Sequence, residues 1–286
     1  MSAPLRERLL EARASLVRAG LTAQDAALDA EVLARHVLGW DRGQLLTRMH
    51  LVAPANFESR FQELIARRAA REPVAYITGH REFWGLDFVV SPAVLIPRPE
   101  TELLVERALA VVGAGTPSRI VDVGTGSGCI AVALAHERPL TRVVAVDRSA
   151  EALQVAACNI TRHGVGARVH PVRGHLLEAI AGPVDLIVSN PPYVDPAAAT
   201  ALQPEVARFE PGAALFAGEA GLAILRTLLE TAARRLAPGG HLIVEFGAGQ
   251  DRALRISAEA AAWSIEIADD LAGIPRVAVL QPAGRR

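Results

Sequence analysis

From residue 4 to 72 apolar residues recur at helical spacing. Leu5, Leu9, Ala12 and Leu16 share one face, and Ala27, Ala30, Ala34 and Val37 repeat the pattern. Gly20 and Gly39 follow these two runs, where glycine ends a helix with least strain. Phe57, Phe61, Leu64 and Ile65 give a further apolar face, on a helix whose other side carries Arg60, Arg67, Arg68 and Arg71. With Glu58, Glu63 and Glu72 interspersed, these arginines read as a solvated face, the alternative being a surface for an acidic partner. Pro73 stops this helix. From there to Pro97 the pattern turns to short strand-like runs, Tyr76-Ile77-Thr78-Gly79 and Phe88-Val89-Val90, with Gly79 and Gly85 between them. The prediction is a β-hairpin or small sheet joining two lobes.

After residue 100 the rhythm alternates. Ile120-Val121-Asp122-Val123, Val143-Val144-Ala145-Val146, Arg168-Val169-His170, Asp185-Leu186-Ile187-Val188 and His241-Leu242-Ile243-Val244 are strand candidates. Helical stretches of about 10 to 15 residues separate most of them. Near-continuous apolar strands alternating with helices imply a parallel sheet covered on both faces. Two further strands, 264–268 and 276–280, close the chain, and no internal repeat is visible. The expected organisation is a helical domain over 1–73, a hairpin linker over 74–98 and a doubly wound, Rossmann-like α/β domain over 99–286.

Composition then excludes several classes. The chain has 286 residues, 51% of them hydrophobic, enough for two domains with a sizeable core. With 30 basic residues against 31 acidic ones, the net charge of -1 gives no support to a mainly electrostatic nucleic-acid binder. Every basic residue is arginine, which reads as a compositional bias and carries no functional signal. Cys129 and Cys158 form no C-x-x-C pair, which argues against a disulfide framework or a cysteine-ligated zinc site. Arg6, Glu7 and Arg8 near the N-terminus have no apolar signal core behind them, and no uncharged apolar run reaches about 18 residues. The expectation is a soluble, cytoplasmic protein.

The chemistry begins at Asp122-Val123-Gly124-Thr125-Gly126-Ser127-Gly128, which follows one strand and precedes the helical stretch 130–136. Glycines there let the backbone approach a ligand and leave N–H groups free at a helix start. A dinucleotide fingerprint needs its third glycine at position 129, which is Cys129. Asp147 ends the next strand, where a carboxylate can accept hydrogen bonds from both ribose hydroxyls. The shortened G-x-G-x-G form behind Asp122 favours S-adenosyl-L-methionine over a nicotinamide dinucleotide or a ligand-free turn.

Asn190-Pro191-Pro192-Tyr193 follows the strand ending at Ser189, so it projects from the carboxyl edge of the sheet, where open α/β sheets bind ligands. Two prolines fix the backbone and donate no hydrogen bonds, leaving a rigid loop of carbonyl acceptors. The Asn190 side-chain oxygen and the Pro191 carbonyl can each accept one N–H of a planar amino group. That arrangement turns the nitrogen's delocalised electron pair toward a methyl electrophile, while Tyr193 can stack on the planar group. A sulfonium is a good leaving group, so catalysis rests on positioning and preorganised acceptors, with no tuned general base required. Glutamine amides and the exocyclic amines of adenine or cytosine all satisfy this clamp.

The chain resembles the PrmC/HemK family, the glutamine N5-methyltransferases of bacterial peptide chain release factors. The resemblance spans nearly all of it. It includes Glu72-Pro73 with Tyr76-Ile77-Thr78-Gly79, Glu82-Phe83-Trp84-Gly85-Leu86 and Leu95-Ile96-Pro97-Arg98-Pro99-Glu100-Thr101-Glu102. It continues through the glycine loop, residues 189–193, Phe209-Glu210-Pro211 and Pro238-Gly239-Gly240. The segment 95–102 is the most family-specific, since generic amino-methyltransferases with the same tetrapeptide lack it. The resemblance implies methylation of the glutamine in the Gly-Gly-Gln tip of release factors 1 and 2, with the N-terminal helices and hairpin helping to dock them. It also implies that Gly124, Thr125, Gly126, Ser127 and Gly128 contact the methionine part of S-adenosylmethionine and Asp147 its ribose. Asn190, Pro191, Pro192 and Tyr193 would hold the glutamine, with Asn190 also near the cofactor. One departure stands out: in Gly174-His175-Leu176-Leu177, His175 takes the place of the family's usual acid beside the adenine, and Leu176 that of an aromatic residue. A hydrogen bond from His175 to the adenine edge is the corresponding expectation.

Other features lead to no site. His163, His170 and His175 lack ligand spacing, so no metal is expected, and His136-Glu137 lacks the second histidine of a zinc-protease motif. Cys129 reads as a small buried residue. Arg98 reads either as a cap on the active-site rim or as an anchor for Glu100, and Thr101 and Glu102 as the start of a helix over 103–112. Rival functions are a glutamine methyltransferase for a ribosomal protein, an adenine-N6 nucleic-acid methyltransferase and a non-catalytic cofactor-binding adaptor. Against the last, a sensor has no use for an amide-nitrogen clamp. A two-lobed enzyme for a protein substrate needs no partner subunit, so a monomer acting directly on release factors, without nucleic acid or membrane, is expected.

Overall fold

The apolar run 120–123 suits a strand buried on both faces. In the computed structural model, which describes residues 4–283, it is an interior strand of a seven-stranded sheet. A separate hairpin pairs β1 (His80–Phe83) with β2 (Leu86–Val89). The sheet contains β3 (Arg119–Val123), β4 (Arg142–Asp147), β5 (Val169–Arg173), β6 (Val184–Ser189), β7 (Leu236–Glu245), β8 (Trp263–Asp269) and β9 (Pro275–Pro282). Its order is β5-β4-β3-β6-β7-β9-β8. The strands from β5 to β7 run parallel, and β9 runs antiparallel to both β7 and β8. The chain winds outward from β3 in both directions, so the ends of β3 and β6 part and leave a crevice at the carboxyl edge. Register fixes what emerges there. Val123 pairs with Val146 and Ser189, and Ser189 with Val244. Gly124, Asp147, Asn190 and Glu245 therefore come out side by side.

Apolar clusters cover both faces of this sheet. The helix Cys129–Glu137 is buried at every position from Cys129 to Ala135. This explains its apolar surface all round, which suits an interior helix better than an amphipathic one. Phe83 and Phe88 of the hairpin pack edge to face at 6.2 Å and join the same cluster as Leu104, Ile120 and Leu134.

Contacts divide the chain into two compact units. One runs to Gly79 and includes Gln203–Phe209; the other holds His80–Leu202 and everything from Glu210 onward. Set beside the expected segments 1–73, 74–98 and 99–286, the hairpin falls within the α/β unit, and a short piece of the later sequence joins the helical one. The outer ends of the first and last segments, 1–3 and 284–286, lie outside the described residues. Within 74–98 one expectation is corrected: Val74–Thr78 is a short helix, with no strand at Tyr76-Ile77-Thr78. The preceding helix already ends at Ala69, with Arg71 turned to φ 73°. Pro73 then caps the start of Val74–Thr78, Gly79 closes it at φ 78°, and Tyr76 and Ile77 are buried. Here packing overrides the strand preference of Tyr, Ile and Thr.

The helical unit consists of Leu5–Arg18, Ala23–Leu38, Arg42–Arg48, Phe57–Ala69 and Val74–Thr78, with Pro204–Phe209 added from far along the chain. Local chemistry sets several boundaries. Thr22 accepts from the Asp25 N–H at 3.1 Å, Asp41 and Gln44 form a reciprocal capping box, and Gly39 closes its helix at φ 66°. The arginine face is not simply solvated. The Arg68 side chain is only 8% exposed and donates to Asp29 Oδ2 at 2.6 Å and Glu205 Oε1 at 2.8 Å. Arg71 reaches Glu205 Oε2 at 2.7 Å and the Gly20 carbonyl at 3.0 Å, while Arg67 pairs with Glu72. Arg67, Arg68 and Arg71 are thus tied down by carboxylates of their own unit, while Arg60 stays exposed as the solvated reading has it. Among the described residues no helix is long and apolar enough to cross a membrane.

Candidate active site

The carboxyl ends of β3, β4 and β6 open into one cleft of about 220 Å³, lined by Gly124, Thr125, Gly126, Ser127, Asp147, Asn190, Pro191 and Pro192. The strand ends shape the glycine loop directly. Gly124 and Thr125 both donate to the Val146 carbonyl, at 2.8 and 3.0 Å. Gly124 and Gly126 sit at φ 74° and 53°, and nothing lies within 4 Å of where a Gly124 Cβ would stand. The turn itself, and not crowding, is what requires glycine there. Asp147 holds the loop from the neighbouring strand: Oδ2 accepts from Gly126 N–H and Oδ1 from Ser149 N–H, both at 2.9 Å. Each oxygen keeps lone-pair capacity toward the cleft.

Gly128 is placed differently. It sits at φ 80° at the start of the helix Cys129–Glu137, where a Cβ would stand 3.2 Å from that of Ala156, and it does not line the cleft. Tyr193 also lies outside the lining. It is largely buried, its hydroxyl donates to Glu245 Oε1 at 3.2 Å, and its carbonyl accepts from Gln250 Nε2 at 3.0 Å. Gly221, at φ 84°, comes so close to the Tyr193 carbonyl that a side chain there would collide with it.

Asn190 is anchored at one end. Its Nδ2 donates to Thr101 Oγ1 at 3.0 Å, and the Thr101 hydroxyl donates to Glu245 Oε2 at 2.7 Å. Thr101 and Glu245 are both 2% exposed. Burial pushes the Glu245 carboxyl up to about 7, against the bonds from Thr101 and Tyr193. Burial and the neighbouring Glu245 charge also raise the Tyr193 hydroxyl, so it remains a donor. Arg98 lines the cleft and pairs with Glu210, which also accepts from the Ile96 N–H at 3.3 Å. Glu210, not Glu100, is thus the partner of Arg98, and it braces the segment 95–102. His175 and Leu176 line the cleft as well, with His175 Nδ1 at 3.3 Å from Glu178 Oε1.

Below the loop, Asp122 is fully buried. Its Oδ2 accepts from the Thr125 hydroxyl at 2.6 Å, and burial pushes the carboxyl up to about 7. Burial pushes the Cys129 thiol up to about 12, so no thiolate nucleophile is available at neutral pH.

Comparison with known proteins identifies the family. The PrmC N-terminal domain model matches residues 7–79, and the Methyltransferase small domain model matches residues 99–207. A release factor glutamine methyltransferase from Nitratidesulfovibrio vulgaris is 45% identical over 255 residues, covering 87% of this chain and 86% of the relative. The chain belongs to the release factor glutamine methyltransferase family. A second member, from Koribacter versatilis, is 45% identical over 256 residues, covering 88% and 90% of the two chains. Among solved structures, a methyltransferase from Pyrococcus furiosus matches with a TM-score of 0.53 at 20% identity over 79% of this chain and 99% of the other, a likeness in fold. The protein is therefore a methyltransferase with the class I α/β fold expected from its strand pattern.

Thr101 lines the cleft, and Glu210 and Glu245 stand behind it. The sequence reading places the first two in family segments without giving them a role at the site, and does not single out Glu245. Glu245 carried a signal, since it is the acid at the carboxyl end of a strand, as Asp147 is. Only the sheet order, which places β7 beside β6, shows that it stands behind the Asn190 loop. Thr101 gave a weaker one, because a threonine at a helix start ordinarily reads as a cap.

Proposed function

We propose that the protein transfers a methyl group from S-adenosyl-L-methionine to the side-chain amide nitrogen of the glutamine in the Gly-Gly-Gln tip of release factors 1 and 2, acting in the cytoplasm as a monomer and without nucleic acid. The observation that carries this reading is the anchoring of Asn190. With Nδ2 committed to Thr101, Oδ1 is left as an acceptor beside the rigid Pro191-Pro192 turn. An amide –NH₂ turned toward a methyl electrophile calls for two acceptors, and that pair is assigned to Asn190 Oδ1 and the Pro191 carbonyl, whose residues line the same cleft as the glycine loop.

The residues present fit that cofactor. Glycines 124 and 126 leave backbone open to it, and the Asp147 carboxylate is fixed at the strand end with capacity for ribose hydroxyls. When bound, S-adenosylmethionine supplies an electrophilic methyl group on a sulfonium. Asn190 and Pro191 orient the glutamine nitrogen, the two prolines keep the loop rigid, and Arg98, held by Glu210, lines the same cleft. Tyr193 acts from behind by securing the loop to Glu245. Asp147→Ala is expected to weaken cofactor binding about 100-fold, the effect of two or more charge-assisted hydrogen bonds, read by calorimetric titration with S-adenosylhomocysteine. His175→Ala should weaken it about fivefold through one lost bond to the adenine edge, and unchanged affinity would remove His175 from the site.

The deciding experiment is methyl transfer from labelled S-adenosylmethionine to purified release factor, alongside a Gly-Gly-Gln→Gly-Gly-Ala variant. Label on the wild-type factor alone identifies the acceptor as that glutamine. Label on neither, with cofactor still bound, sends the search to ribosomal proteins and RNA.

A further inference from the structure

The hydrogen bonds behind the clamp have a direction. Tyr193 Oη–H and Thr101 Oγ1–H both donate to Glu245, and the Thr101 oxygen, its proton committed, accepts from Asn190 Nδ2. An ionised carboxylate can only accept, so it sets the sense of every bond leading away from it. We infer that Glu245, acting through Thr101, is a positioning residue that fixes which way the Asn190 amide is turned, and thereby makes the site select an amide donor over a carboxylate. The inference rests on the function proposed above.

An asparagine amide is nearly symmetric in shape, and turning it over exchanges an acceptor for a donor at the same place. With Oδ1 toward the cleft, the site accepts N–H groups and suits a glutamine. With Nδ2 toward the cleft, it offers N–H groups and suits a glutamate, which has no nitrogen to methylate. Nothing in the tetrapeptide itself decides between the two orientations. The decision comes from a neutral hydroxyl that can donate or accept, and behind it a buried carboxylate that, once ionised, can only accept. Glu245 stands opposite Asn190 because Ser189 and Val244 are paired in the ladder between β6 and β7. A buried acid at this position carries a desolvation cost. In its ionised form it also supplies what a serine or glutamine would not, an acceptor without a donor alternative.

Glutamine in place of Glu245 is nearly isosteric but can donate through its amide nitrogen. In the Glu245→Gln variant Thr101 can then accept from the new amide and donate to Asn190 Oδ1, which reverses the chain. Thr101→Val breaks the chain, and Thr101→Ser preserves it. The test measures binding of release factor carrying either the Gly-Gly-Gln tip or a Gly-Gly-Glu tip, with S-adenosylhomocysteine present, at about pH 8.5, where the carboxylate form dominates. The wild type should prefer the glutamine tip. Glu245→Gln and Thr101→Val should each reduce that preference about tenfold or more, the worth of one hydrogen bond exchanged for a mismatch, while Thr101→Ser stays within about twofold of wild type. S-adenosylhomocysteine affinity, unchanged throughout, shows that the variants are folded. If Glu245→Gln loses activity but keeps the wild-type tip preference, Glu245 only supports structure and the inference is overturned. It is overturned equally if Thr101→Ser behaves like Thr101→Val. A wild type that transfers no methyl group to release factor at all overturns both this inference and the function on which it rests.

Discussion

Asn190→Ala should lower the rate of methyl transfer to release factor by on the order of 10³, while S-adenosylhomocysteine binds with near-normal affinity. The size follows from what a preorganised acceptor does. Removing one fixed hydrogen-bonding group at a reacting centre typically costs about 10² to 10³, and here the same group also sets the pose of the nucleophile. Asn190 does not hold the glycine loop; the Val146 carbonyl and Asp147 do that. Cofactor binding should therefore survive the substitution. Single-turnover transfer of labelled methyl, with saturating release factor, separates chemistry from binding. A variant that turns over normally would remove Asn190 from the clamp, and one that fails to bind cofactor would make it a scaffold residue.

Asp122→Asn should make the protein more stable above neutral pH and change little at acid pH. The sign follows from linkage. Burial raises the Asp122 carboxyl from 3.8 to about 7, against the bond from Thr125, so the folded state prefers the protonated acid. The stability this group contributes is complete below its unfolded value of 3.8 and is lost as pH rises through about 7. Above that, carrying the charge costs the fold about 4 kcal/mol, from roughly three pH units at 1.36 kcal/mol each. Asparagine keeps an acceptor for the Thr125 hydroxyl and has no charge to bury. Urea midpoints of the two proteins between about pH 5 and about pH 8 should therefore diverge as pH rises. A constant gap would mean that the acid is not titrating in that window. Glu245, also raised to about 7 by burial, adds a slope of the same sign in both proteins, which cancels in the difference.

Much of the α/β unit was legible because its signals are local. Each strand expected after residue 100 lies in the sheet, since apolar runs such as 143–146 and 185–188 are compatible with little else between helices of that length. The glycine loop and the tetrapeptide emerge at the carboxyl edge because each directly follows such a strand. What escaped depends on partners distant in sequence. Arg68 sits on an arginine-rich helical face, and its burial is decided by Asp29, 39 positions away, and Glu205, 137 positions away. Tyr76-Ile77-Thr78 has the composition of a strand, and its helical state comes from the proline before it and the apolar core beneath it. Thr101 and Glu245 are ordinary residues until β7 is placed beside β6. Even Tyr193, which reads as a stacking residue, has its hydroxyl occupied by an acid that no motif spacing connects to it.

The late helix Pro204–Phe209 bears on how modular this architecture is. A fragment ending at Gly79 would contain every helix of the N-terminal run, yet it would leave the buried Arg68 guanidinium with Asp29 as its sole counter-ion. Losing Glu205 removes one charge-assisted hydrogen bond from Arg68 and another from Arg71, each worth about 1.5–3 kcal/mol, a noticeable share of what so small a unit can muster. The helical unit is therefore not a cassette that can be transplanted onto another catalytic domain by fusing at one junction. Its completeness depends on a stretch of chain encoded shortly after the tetrapeptide loop, so a swap of the N-terminal run alone would leave part of the unit behind.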